Sequence, residues 1–182
     1  MRNWSFAVAV AALCLAPLAR AGENQGGGGL KDGLVVRGRV GPALEASKLS
    51  LGGWVGGTLG YQTAIGLTFG VALGATYLHT SSGSAANVSA AALFRVAALP
   101  RERFHPFGEV ALALHYGRDP RGVEPDARLM PAGHGTLGLE LELSEGISID
   151  LAGRGEIIVV NAGSDPRLGV VLMPFMSLAF VL

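Results

Sequence analysis

Between residues 65 and 80 the chain reads IGLTFGVALGATYLHT, in which Ile65, Leu67, Phe69, Val71, Leu73, Ala75 and Tyr77 alternate with Gly66, Thr68, Gly70, Ala72, Gly74 and Thr76. A period of two sends successive side chains to opposite faces of a strand. A strand lying on a soluble core turns charged or strongly polar groups toward water, whereas this one turns glycine and other small groups. Such a strand suits an apolar medium on one side and a confined space on the other.

The pattern recurs in eight stretches, 34–45, 49–61, 65–79, 88–99, 107–117, 136–143, 147–160 and 168–182. In TLGLELEL, Leu137, Leu139, Leu141 and Leu143 oppose Gly138, Glu140 and Glu142; in ISIDLAGRG, Ile147, Ile149 and Leu151 oppose Ser148, Asp150, Ala152 and Arg154. Ser144-Glu145-Gly146 between them fits a three-residue hairpin loop with glycine in the left-handed position. That loop pairs Leu143 with Ile147, keeps the large apolar groups on one face, and sets Glu140 opposite Asp150. The connections at 62–64 and 144–146 are tight, and the one at 118–133 is long. Short turns at the end carrying the termini and a longer loop at the other match an up-and-down membrane barrel.

Composition supports an apolar medium and excludes a spanning helix. Charged residues make up only 15% of the chain and glycine numbers 28, against roughly 25% charged in an average soluble domain. No segment after residue 21 supplies the ~18 uninterrupted apolar residues of a membrane helix. Closure of strands into a barrel satisfies the backbone groups that hydrocarbon cannot. Eight strands enclose a space just wide enough for side chains. The expected fold is therefore all-β, an eight-stranded antiparallel up-and-down transmembrane β-barrel over residues 34–182. A soluble barrel or sandwich would instead carry polar outer faces.

Residues 1–21 read as a signal peptide: Arg2, an apolar run from Phe6 to Leu15, Pro17, and Ala19-Arg20-Ala21 at the cleavage site. Residues 22–33, GENQGGGGLKDG, have the composition of a flexible lead. Cys14, the single cysteine, leaves with the signal. Removal of Arg2 and Arg20 leaves twelve basic against fourteen acidic residues, a formal charge of −2. No basic stripe invites nucleic acid.

GGWVGGTLGYQ, the opening stretch, HPFGEVALALHYG and the terminal PFMSLAFVL resemble the small Gram-negative outer-membrane β-barrel family of OmpA- and OmpX-like proteins. The resemblance implies export to the cell outer membrane, outer-membrane lipids and lipopolysaccharide as contacts, and recognition of the last strand by the barrel-insertion machinery. Members usually end in an aromatic residue, whereas this chain ends Phe180-Val181-Leu182.

The alternation sends Arg37, Arg39, Arg95, Glu109, His115, Glu140, Glu142, Asp150, Arg154 and Glu156 inside. Four arginines against five carboxylates predict a salt-bridged plug rather than a selective pore. Tyr61, Phe107 and Phe180 are expected as lipid-interface aromatics at one rim, with Tyr77 and Tyr116 at the other. Pro42 and Pro174 fall in the first and last strands, which must pair to close the barrel although neither proline can donate to a ladder. Arg118, Arg121 and Arg128 suit lipopolysaccharide phosphates, with Asp119, Glu124 and Asp126 diluting their charge. No G-x-S-x-G, metal-ligand spacing or nucleotide fingerprint occurs. The expected protein is a monomer without cofactor or catalytic motif, in a structural or surface-interaction role. A narrow or gated, porin-like channel and a lipid-modifying barrel enzyme are the alternatives.

Overall fold

The computed structural model describes residues 30–182 apart from 48, 81–82, 100, 119–126 and 163–164. The expected signal peptide, together with Arg121 and the acidic residues of the long connection, lies outside the described residues.

Eight strands follow in chain order: β1 (Gly33–Glu45), β2 (Ser50–Gln62), β3 (Leu67–Thr80), β4 (Gly83–Ala97), β5 (Phe104–Gly117), β6 (Arg128–Ser144), β7 (Ile147–Ala162) and β8 (Asp165–Val181). Each pairs antiparallel with the next, and β8 returns to β1, closing the barrel. The start of β1 and the end of β8 lie at one rim, called the terminal rim here, with the turns after β2, β4 and β6. The connections after β1, β3, β5 and β7 lie at the far rim.

Alternation governs the faces. Leu73, Leu112 and Leu137 point outward with 68%, 79% and 76% of their surface exposed, as a protein dissolved in lipid requires. Phe69, Val71 and Tyr77 of the 65–80 stretch also point outward. Gly70, Ala72, Gly74 and Thr76 face the lumen beside inward residues of β2 and β4.

The β6–β7 hairpin has the expected register through Glu140↔Asp150 and Glu142↔Ser148, but Ser144 rather than Leu143 then pairs with Ile147. The slip is a bulge at the strand end, and it leaves Glu145-Gly146 as a two-residue turn in place of the expected three-residue loop, with Gly146 in the left-handed region at φ +77°. Strand β6 begins at Arg128, eight residues before the predicted start. In Leu129-Met130-Pro131-Ala132-Gly133 the apolar groups occupy both faces, which hides the period; Met130 and Ala132 are buried while Leu129 is exposed.

The closing seam accommodates its prolines without a bulge. The β1–β8 ladder runs from Val35↔Val181 to Val40↔Met176 and resumes at Leu44↔Leu172 in unchanged register. Pro42 and Pro174 therefore face each other in the interruption, so one gap absorbs both missing donors. The backbones approach so closely beside it that a Cβ at Gly41 would lie 2.0 Å from the Pro174 carbonyl oxygen.

Candidate functional site: the lumen

Inward positions on five strands, β1, β4, β5, β6 and β7, bring long charged side chains into the lumen, where two ion-paired groups form. At the terminal-rim side, Glu140 and Asp150 oppose each other across the β6–β7 ladder. Two arginines from distant strands separate their charges. Arg37 of β1 donates through Nη1 to Asp150 Oδ2 at 3.0 Å and stands 3.6 Å from Glu140 Oε1. Arg95 of β4 donates through Nη1 to Asp150 Oδ2 at 2.9 Å and through Nη2 to Glu140 Oε2. Ser148 and Ser177 donate to Glu140 and Asp150 respectively, and Gln62 Oε1 accepts from Arg37 Nη2 at 3.0 Å. Arg37, Arg95, Glu140 and Asp150 are each at most 2% exposed, so the charges are matched and hydrogen-bonded as burial demands.

Farther in, Arg39 holds Glu109 by a two-pronged contact, 2.7 and 2.5 Å. Arg154 stands 3.6 Å from the same carboxylate, with its guanidinium 4.5 Å from the Trp54 ring centre. His115 Nε2 lies 2.8 Å from Glu156 Oε1. His134 places Nε2 3.6 Å from Glu109 and Nδ1 3.8 Å from Glu156. Nine of the ten expected lumen residues are buried; Glu142, nearer the terminal mouth, is half-buried.

Toward the far rim the lumen changes character. Leu78, Met130, Ile158, Val160, Val171 and Met173 are at most 2% exposed and pack with Trp54 and Phe175, whose rings meet edge to face at 5.5 Å. An apolar core of large side chains thus fills the space that glycine and other small groups were expected to line. Beside it, Arg39, Trp54, Thr58, Ser89, His134, Arg154 and Glu156 line a cavity of about 10 Å³, on the order of one water molecule. Ser89 faces His115 in the β4–β5 register, which makes Ser89–His115–Glu156 a serine, histidine and carboxylate gathered on one wall.

Two of the expected interface aromatics are corrected. Phe107 points inward and is 5% exposed, with Arg95 stacked 3.4 Å from its ring centre. It shares the parity of Glu109, two residues on, so its aromatic character does not override the alternation. Phe180 keeps the outward register between Val36 and Ile147 but is only 6% exposed, so it offers little surface to lipid. Tyr61, Tyr77 and Tyr116 are outward and more than half exposed. The terminal-rim belt is extended by Phe69, Phe94 and Phe104: the first two rings lie 4.9 Å apart, and Phe104 is 47% exposed. His134 and the Trp54–Phe175 pair were not among the expected site residues. The early start of β6 places the first, and inward parity in β2 and β8 the others.

At the far rim Arg118 Nη1 donates to the Ser84 carbonyl at 3.5 Å, and Arg128 is half-buried in β6. Among the described residues no group of three or more histidine, cysteine or acidic side chains has metal-binding geometry.

No protein-family model matches the chain, and no curated protein matches it. Solved structures share its fold. Neisserial surface protein A (NspA) superposes over 87% of this chain and 100% of its own, with a TM-score of 0.67 at 13% identity. The outer membrane enzyme PagL superposes over 81% and 99%, with a TM-score of 0.55 at 17% identity. The outer membrane protein OprG of Pseudomonas aeruginosa superposes over 86% and 99%, with a TM-score of 0.55 at 12% identity. The chain has the fold of the small eight-stranded outer-membrane barrels.

Proposed function

We propose that this protein resides in the Gram-negative outer membrane as a non-conducting, non-enzymatic barrel with a structural or surface-interaction role. The observation that carries this reading is the filled lumen. Two groups of matched buried charges occupy its terminal-rim side and middle, and an apolar core occupies the far half. A hydrated ion gains no continuous polar path through such a column, and an apolar constriction resists wetting. The outer face, apolar from rim to rim, suits membrane lipids. The shared fold of outer-membrane proteins supports the location, and export by a cleaved signal peptide and insertion through the last strand belong to the same proposal.

The enzyme alternative has one set of residues to recommend it, Ser89, His115 and Glu156. These lie inside the barrel beside space for about one water, which leaves no room for an acyl substrate. Catalysis of acyl transfer also needs donors placed for a developing oxyanion.

Planar-bilayer recording tests the proposal. The refolded wild-type barrel should insert and show no steady conductance. Large, stable open channels would overturn the plugged reading in favour of a pore. Labelling of Ser89 by a serine-reactive phosphonate, lost in Ser89→Ala, would overturn the non-enzymatic one.

A further inference from the structure

At mid-lumen the wall formed by β2, β3, β4 and β5 is made of small groups. Gly56, Gly74 and Ser89 stand abreast on β2, β3 and β4, and beside them Thr58, Ala72, Ala91 and Ala113 stand abreast from β2 to β5. The facing wall carries long side chains: Arg39 from β1, His134 from β6, and Arg154 and Glu156 from β7. Between the short wall and the long one the cavity of about 10 Å³ remains. It sits where the charged middle of the lumen borders the apolar far half, with Trp54 of the apolar core in its lining.

Five of the lining side chains have hydrogen-bonding capacity that the protein does not use. Arg39 Nε, Trp54 Nε1, Thr58 Oγ1, Arg154 Nε and both ring nitrogens of His134 make no hydrogen bond with another protein group. All five residues are at most 8% exposed. A buried donor without an acceptor is costly, so such atoms gathered round one space point to a ligand within it. His134 stands 3.6 Å from Glu109 and 3.8 Å from Glu156, too far for a direct hydrogen bond and suited to a bridge.

Size, charge and hydrogen-bond balance identify the ligand. A cavity of this volume holds about one water molecule. Two arginines, Arg39 and Arg154, stand with two carboxylates, Glu109 and Glu156, so no surplus charge draws in an ion of either sign. Trp54 Nε1 and the arginine Nε atoms can only donate, whereas Thr58 Oγ1 and the Glu156 carboxylate can accept. Water answers both needs, because it accepts two hydrogen bonds and donates two. We propose that one resident water occupies this cavity, accepting from Trp54 and Arg154, donating to Thr58 and Glu156, and so tying β2 to β7 across the lumen. The site goes beyond the plugged-barrel reading and is independent of the barrel's role, since it concerns how an indole and a guanidinium are satisfied at the edge of an apolar core.

The Trp54 indole reports on the site, because it is the single tryptophan of a chain beginning at residue 22. Nuclear magnetic resonance of the isotope-labelled barrel in detergent micelles should show a rotating-frame Overhauser cross peak between the indole N–H and water. Ala91→Val fills the cavity from the short wall while leaving every hydroxyl in place, and should abolish that cross peak. Ala72→Val, from the neighbouring position on β3, repeats the measurement should overpacking impair folding of the first variant. Absence of the cross peak from the folded wild-type barrel would overturn the resident water. Its persistence in a filled, folded variant would place the contact elsewhere and overturn the site. A shift of the indole resonance on exchanging chloride for bromide would overturn water in favour of a bound anion.

Discussion

Arg95 shows how a single residue holds several demands at once. Its guanidinium separates Glu140 from Asp150 and lies over the Phe107 ring, so removing it leaves two carboxylates facing each other in a dry interior with Arg37 alone to compensate them. Arg95→Met should destabilise the barrel by about 3–5 kcal/mol, the cost of leaving buried charge uncompensated. Adding Glu140→Gln should return part of that loss, since one of the opposed charges is then gone. Urea unfolding from lipid vesicles measures both. A cost no larger than that of Arg101→Met at the exposed turn would show that the bridge contributes nothing. The inward positions of the charges were legible from alternation alone. Which arginine serves which carboxylate was not, because the partners sit 113 residues apart for Arg37 and Asp150 and 70 apart for Arg39 and Glu109. Barrel closure and shear decide such pairs. Phe107 lies inside because it shares the parity of Glu109, and an aromatic ring inside a barrel is well used when a guanidinium stacks on it.

At the scale of strands, glycine has two unrelated uses, and steric context separates them. Gly41 sits beside the Pro42–Pro174 gap, where any Cβ would meet backbone at 2.0 Å. Gly135 and Gly153 face outward into a shallow groove bordered by Phe94, Val96, Val110 and Leu137, and a Cβ at either meets nothing within 4 Å. Gly41→Ala should therefore cost about 1–3 kcal/mol, as overpacking does where neighbours cannot move. Gly135→Ala and Gly153→Ala should be neutral or gain about 0.4–1 kcal/mol through a less flexible unfolded chain. The shift in unfolding midpoint for each variant checks the contrast; equal effects at all three sites would mean that the seam is not tight. Sequence located both seam prolines but not their arrangement, since only the β1–β8 register reveals that they face each other. It also cut β6 short. Pro131 and Gly133 carry turn chemistry locally, and the pairing of Pro131 with Leu114 and Gly133 with Leu112 overrides that preference.

For the molecule as a whole, the outer face is read by its solvent. Leu137 lies near the middle of β6 and Leu129 near its far-rim end, and both project outward, 76% and 62% exposed. If hydrocarbon surrounds the barrel, the penalty for a charge must depend on depth. Leu137→Arg should cost about 2–4 kcal/mol in a bilayer, whereas Leu129→Arg should cost about 0–1 kcal/mol, because a long side chain near the rim reaches the headgroups. A barrel surrounded by water imposes no such gradient, since exposed substitutions away from packed features usually stay within about 0.5 kcal/mol. Reversible unfolding of the two variants from vesicles compares the cases directly. Equal and small costs would remove the membrane from the account and leave the long apolar face unexplained. A large cost at Leu129 with none at Leu137 would move the hydrocarbon band toward the far rim. The plugged lumen would then need to seal at a different level, because the apolar core around Met130 and Ile158 would lie within the band and the Arg95–Glu140–Asp150 bridge at its edge.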